Sequence, residues 1–285
     1  MSKTIAETIL AGAHELRVAG VPEPRREVGS LLAHVLGKDR SFILTHADGT
    51  LKEDQSETFQ KLLQRRARGE PLQYLTGNQE FFGLDFEVNR DVLIPRPETE
   101  LLVETALTLF DAQQAPFICD VGTGSGCITI ALLNSLPKAR AVAVDISPAA
   151  LEVARRNALK HSVAERVEFV VSDCFAGIAD RPPFDLIVSN PPYVETTDMN
   201  SLQREVRDFE PPTALFAGAD GLSVIRRLLL EAGNFLGPAG YFLFEIGFNQ
   251  AAVVTALIDP RIWRLVHIYP DLQSIPRTVA LQKLS

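Results

Sequence analysis

Cysteine is scarce in this 285-residue chain: Cys119, Cys127 and Cys174, with no C-x-x-C spacing. That excludes a disulfide framework and a cysteine-built zinc site, so the three read as small buried thiols and no metal is expected. Long apolar runs are missing too, none approaching the roughly eighteen residues of a membrane helix. The polar start MSKTIAET lacks the basic-then-apolar pattern of a signal peptide. A cytoplasmic protein without membrane association is expected. Positive charge is in deficit, 28 Lys and Arg against 36 Asp and Glu for a net −8. A broad non-specific nucleic-acid footprint needs clustered cations, and the only dense cluster is Arg65, Arg66 and Arg68. Repeats and low-complexity tracts are absent. The five histidines (His14, His34, His46, His161, His267) lie away from the strand ends discussed below and read as structural or surface residues.

What is present is 46% hydrophobic sequence, enough for a full core and a small second one. Residues 1–73 predict a helical bundle. One helix spans 4–20, with Thr4 as N-cap and Gly20 as stop, and a second runs from Pro24 to Gly37. A third covers about 52–68 and ends in RRAR, cations suited to a helix C-terminus. From 74 to 95 the period changes to two, with YLTGNQEFF and LDFEVN on either side of Gly83, which predicts a β-hairpin linker.

Beyond it, in 96–285, short apolar runs such as FICDVG, AVAVDIS, VEFVVSD, FDLIVSN and YFLFEIG alternate with amphipathic stretches. This predicts an α/β domain with a parallel sheet covered on both faces. WRLVHIYPDL and RTVALQKL, joined by a short link, predict an antiparallel pair at its edge.

DVGTGSG (120–126) falls between the first of these strands and its helix, where open α/β sheets bind ligands. Gly122, Gly124 and Gly126 make G-x-G-x-G. The dinucleotide fingerprint needs glycine at 127, which is Cys127, and no Gly-Lys-Ser/Thr follows for a P-loop. The second strand ends in Asp145, where a carboxylate can accept both hydroxyls of a ribose, and the third in Asp173, placed to accept from an exocyclic amine such as adenine's. Singly, each is equally a turn glycine or a helix N-cap. Together they imply a nucleoside.

This set resembles the S-adenosyl-L-methionine-dependent methyltransferases of the Rossmann-like, seven-stranded class, and the resemblance covers roughly 96–285, including the antiparallel last strand. It implies a glycine loop (Gly122, Thr123, Gly124, Ser125, Gly126) beside the methionine part of the cofactor. It implies Asp145 at the ribose, with Ile146, Asp173, Cys174 and Asn190 also among the cofactor contacts.

SNPPY (189–193) follows the apolar run FDLIV. Proline cannot continue a central strand, so the strand stops at Ser189 and Asn190 stands at its end. Asn-Pro is also an ordinary turn. In the methyltransferases N-P-P-Y at this place resembles the signature of enzymes acting on planar nitrogens, either side-chain amides or exocyclic base amines. Such a nitrogen is barely basic, and the Asn190 side-chain oxygen and Pro191 carbonyl could accept from its NH2 group while Tyr193 packs on its flat face. No general base is assigned.

GEPLQYLTGNQEFFGLDFEV, VLIPRPETELLVE, NPPY, EPPTALFAGADGL and FEIG, in that order, resemble the bacterial release factor glutamine methyltransferases over nearly the whole chain. The resemblance implies a protein-glutamine N-methyltransferase acting on the glutamine of the Gly-Gly-Gln motif in class 1 peptide chain release factors. It places Asn190, Pro191, Pro192 and Tyr193 in the substrate clamp. A monomer is expected, with residues 1–73 recognising the protein partner. The alternative is an adenine-amine nucleic-acid methyltransferase using the same N-P-P-Y, which would be expected to carry a basic or base-reading module. Two departures stand out: Cys174 where a tryptophan is frequent, and DLQSIPR (271–277) without the glycine of the family's D-L-x-G-x-x-R. PRPETE (95–100) reads either as a linker with an acidic helix start or as part of the site, and Glu98, Glu100 and Glu245 have no assigned role.

Overall fold

A computed structural model of the protein describes residues 3–111, 113–181 and 183–284. They divide into two compact units, Met1–Asn78 with Gln203–Phe209, and Gln79–Leu202 with Glu210–Ser285.

The first unit is helical. Helices Ile5–Val18, Pro24–Leu36 and Glu53–Ala67 stand where apolar spacing puts them. Thr4 and Glu7 form a reciprocal cap, each side chain accepting from the other's backbone N–H. Gly37 closes the second helix in the left-handed conformation. Leu16, Val28, Leu31, Leu32, Phe59 and Leu63 form the centre of its core. Residues 72–76 are a short helix, not the start of a strand, so the period-two reading holds only from Asn78. The helix Arg204–Phe209 also belongs to this unit, and its Glu205 lies 2.9 Å from buried Arg66, whose Nε and Nη2 also bond Glu27. Arg65 makes two 2.8 Å bonds to Glu70. Two of the three cations of the basic cluster are thus spent on internal ion pairs.

The second unit opens with a hairpin, β1 (Asn78–Phe81) and β2 (Leu84–Glu87). Its two turn residues, Phe82 and Gly83, both have positive φ, as a type I′ turn requires. Glu100 accepts from Phe82 N at 2.8 Å, a structural role. The main sheet contains β3 (Phe117–Val121), β4 (Arg140–Asp145), β5 (Val167–Val171), β6 (Phe184–Ser189), β7 (Leu236–Glu245), β8 (Trp263–Pro270) and β9 (Pro276–Lys283), in the order β5-β4-β3-β6-β7-β9-β8. Strands β3 to β7 are parallel; β9 runs antiparallel between β7 and the edge strand β8, as the sequence predicts.

Residues alternate between two apolar clusters along the central strands, Ile118, Leu186 and Val188 in one and Cys119, Val121 and Ile187 in the other. Burial on both faces explains why these strands read as continuous apolar runs. The order reverses at β3, where Val121 pairs with both Val144 and Ser189. Such a switch point leaves a crevice at the carboxyl ends of the strands. Among the described residues no helix is long and apolar enough to cross a membrane.

Candidate active site

A cavity of about 330 Å3 opens at that switch point. Gly122 N and Thr123 N both donate to Val144 O, at 2.9 and 3.0 Å, hooking the glycine loop onto β4. Gly122, Gly124 and Gly126 all have positive φ, which glycine adopts at little cost. Their surroundings differ. A Cβ at Gly126 would stand 3.1 Å from Ile130 and 3.2 Å from Ala154, so this glycine lets two helices approach. A Cβ at Gly122 or Gly124 would meet nothing within 4 Å, so these two leave room on the cavity side.

Asp145, at the end of β4, accepts from Gly124 N through Oδ2 and from Ser147 N through Oδ1, both at 2.9 Å. Each oxygen keeps a second acceptor position, and the residue lines the cavity. Burial raises its carboxyl above the ordinary range against the pull of those amides. Ile146, 57% exposed, lies beside it on the cavity wall. Thr123 lines the cavity, but its hydroxyl donates to Asp120 at 2.7 Å, and Ser125 is buried. Asp173 and Cys174 also line it. Arg227 holds Asp173 with 2.6 Å to Oδ1 and 2.9 Å to its carbonyl. Burial pushes the Cys174 thiol up to about 11.

Asn190, Pro191 and Pro192 border the same space. Asn190 Nδ2 donates to Thr99 Oγ1 at 2.9 Å, and Thr99 donates to Glu245 Oε2 at 2.7 Å. Tyr193 is not among the described residues lining the cavity; its hydroxyl donates to Glu245 Oε1 at 3.3 Å and its carbonyl accepts from Gln250 Nε2 at 3.1 Å. Thr99 and Glu245 are buried. Glu210, also buried, binds Arg96 at 2.6 Å on the same wall.

The cavity thus brings together Gly122 to Ser125, Asp145, Ile146, Asp173, Cys174 and Asn190 to Pro192; Gly126 and Tyr193 are not among the described residues that line it. The sequence assigns no role to Thr99, Asp120, Arg227 or Gln250. Two of the four carry a signal in the sequence, Thr99 in its place inside PRPETE and Asp120 at the start of DVGTGSG.

A sheet of this order, with its cavity over the ends of β3, β4 and β6, is a Rossmann-like methyltransferase fold. Residues 97–207 match the Methyltransferase small domain and residues 7–77 the PrmC N-terminal domain. The chain belongs to the release factor glutamine methyltransferases. It is 41% identical to the release factor glutamine methyltransferase of Koribacter versatilis over 98% of this chain and 99% of that one. To the protein of the same name from Burkholderia pseudomallei it is 44% identical, over 87% and 88%. Among solved structures a methyltransferase from Pyrococcus furiosus shares the fold, with a TM-score of 0.53 and 18% identity over 72% of this chain and 91% of that one.

Proposed function

We propose that the cavity holds S-adenosylmethionine and that the protein methylates the side-chain amide of the Gly-Gly-Gln glutamine in class 1 release factors. The residues present fit that cofactor. Asp145 has acceptor positions to spare for a ribose diol, Gly122 and Gly124 leave space where side chains would intrude, and the free edge of Asp173 can accept from the base. When bound, S-adenosylmethionine supplies an electrophilic methyl group.

The protein's own contribution is to hold the amide. One observation carries this: Asn190 Nδ2 is committed to Thr99, which leaves the Asn190 oxygen to accept from a substrate N–H. The Pro191 carbonyl offers a second acceptor. Fixed acceptors favour a pyramidal nitrogen and offset the positive charge that grows on it as the methyl bond forms. The proton then leaves to water, so no general base is required.

The adenine-amine alternative lacks support in the one basic cluster, because Arg65 and Arg66 are engaged by Glu70, Glu27 and Glu205. The helical unit instead suits a protein partner: a lone glutamine offers little binding energy, so selecting it requires remote contacts.

The test is mass spectrometry of a recombinant class 1 release factor incubated with this protein and S-adenosylmethionine. One added methyl on the Gly-Gly-Gln glutamine is expected. A factor left unmodified, or methylated elsewhere, overturns the reading.

A further inference from the structure

We propose that Glu245 and Thr99 are positioning residues that decide which end of the Asn190 amide faces the substrate. The inference rests on the amide-methylation reading above and concerns the direction of a buried hydrogen-bond chain. An ionised carboxylate has no proton to give. When ionised, Glu245 therefore accepts from both of its partners, the Tyr193 hydroxyl and the Thr99 hydroxyl. Thr99 has a single proton, which it spends on Glu245, so its remaining partner must be a donor. That donor is the NH2 of Asn190. The Asn190 oxygen is the atom left over, and a substrate NH2 needs an acceptor.

Burial gives this chain its authority. Thr99 is 2% and Glu245 1% exposed, so bulk water cannot freely substitute for either partner. The three residues come from separate elements: Thr99 from the turn Pro97–Thr99, Asn190 from the end of β6 and Glu245 from the end of β7. Neutralising Glu245 would remove the polarity. Its carboxyl could then donate to Thr99, whose hydroxyl would be free to donate to the Asn190 oxygen. The amide could turn and meet the substrate NH2 donor to donor.

The groups facing Glu245 are Tyr193, Thr99, Glu98 and, from β9, Arg277. Burial pushes its carboxyl up to about 7, against the opposing pull of Thr99, Arg277 and Tyr193, while Glu98 adds to the rise. Neutralisation thus falls within the working range of an enzyme assay.

The experiment measures methylation of a recombinant class 1 release factor by the full-length wild type, Glu245→Gln, Thr99→Val and Thr99→Ser. Each protein's affinity for S-adenosylmethionine is taken by calorimetry. Glu245→Gln and Thr99→Val should lower kcat by roughly 10- to 100-fold, while KM for the factor and Kd for the cofactor stay within about twofold. Thr99→Ser should recover most of what Thr99→Val loses. Wild-type kcat should fall as pH drops through about 7, and Glu245→Gln should lose that limb. Wild-type kcat in Thr99→Val, or no recovery in Thr99→Ser, overturns the proposal; so does a limb that survives in Glu245→Gln. Should Glu245→Gln fail to fold, the two Thr99 variants decide alone. A wild type that leaves the factor unmethylated refutes the functional reading itself, and the positioning role falls with it.

Discussion

The Tyr193 carbonyl lies so close to Gly221 that a Cβ on that glycine would stand 2.3 Å from the carbonyl oxygen. Gln250 Nε2 binds both the Tyr193 and the Gly221 carbonyls, at 3.1 and 3.4 Å, and Gln250 Oε1 accepts from Gly247 N at 2.8 Å. One residue on, Val194 N donates to Leu215 O and Val194 O accepts from Ala217 N. The EPPTALFAGADGL stretch is therefore the buttress of NPPY. Gly221→Ala would add a clash to a positive φ, and should lower stability by at least about 2 kcal/mol in denaturant titration. Displacing the clamp should also cut kcat by about 10²-fold. Wild-type values for both would show that the segment yields freely.

On the proposed reading, Asn190→Ala removes one fixed acceptor from the reacting nitrogen. Methyl transfer should slow by about 10²- to 10³-fold, as when one preorganised partner of a transition state is lost. Affinity for S-adenosylmethionine should change little. Single-turnover rates with a release factor, set beside calorimetry, separate the two effects; near-normal turnover would exclude Asn190 from the clamp.

Much of this was readable in the chain, for physical reasons. Buried parallel strands announce themselves as unbroken apolar runs, and the glycine spacing with Asp145 reports a local turn and the strand beside it. Side-chain bonds between distant segments leave no such trace: Asn190 and Thr99 are 91 positions apart, Thr99 and Glu245 146. The surroundings of Tyr193 leave as little trace in the sequence. The sequence suggests that it packs on a flat substrate group, but the bonds that hold its hydroxyl and carbonyl come from Glu245 and Gln250, both from distant parts of the sequence. The helix Leu72–Thr76, five residues long, has too few turns to show a period and was absorbed into the hairpin pattern.

Asp145→Ala removes the acceptors proposed for a ribose and frees Gly124 N and Ser147 N. Cofactor binding should weaken by about 1.5–3 kcal/mol, roughly a tenfold to hundredfold rise in Kd by calorimetry. Asp145→Asn, retaining one acceptor, should fall between the wild type and Asp145→Ala. Unchanged affinity in the alanine variant would refute the ribose assignment.

Ser274 occupies the position of the family's glycine in D-L-x-G-x-x-R, and its φ is +64°. The turn survives because Asp271 organises it: Oδ1 accepts from Gln273 N and Ile275 N, and Oδ2 from Arg277 Nε at 3.1 Å. The serine pays a left-handed penalty of about 1–2 kcal/mol, part of which glycine would return as unfolded-state entropy. Ser274→Gly should therefore stabilise by about 0.5–1 kcal/mol, seen as a higher denaturant midpoint at unchanged slope. A lower midpoint would mean that the turn is unstrained.

Asp120 stands fully buried at the base of the glycine loop, its Oδ2 taking 2.7 Å bonds from Thr123 and Thr129. Its Oδ1 has no hydrogen-bond partner among the described residues. Burial, only partly offset by the two hydroxyls, raises its carboxyl from 3.8 to about 6. The sign follows from proton counting. Below about pH 4 both states are protonated; between about 4 and 6 the folded state holds a proton the unfolded chain has released, so stability falls as pH rises. Above about 6 both are ionised and the loss is complete, about 3 kcal/mol for a gap of roughly two units. Asp120→Asn cannot ionise, and its oxygen can still accept from both threonines, though its NH2 would be buried without an acceptor. The wild type should therefore be the more stable protein near pH 4, and its advantage should shrink toward pH 7 and stay level above. Denaturant titrations of both proteins across that range would show it; a constant difference would mean that Asp120 holds no extra proton in the folded state.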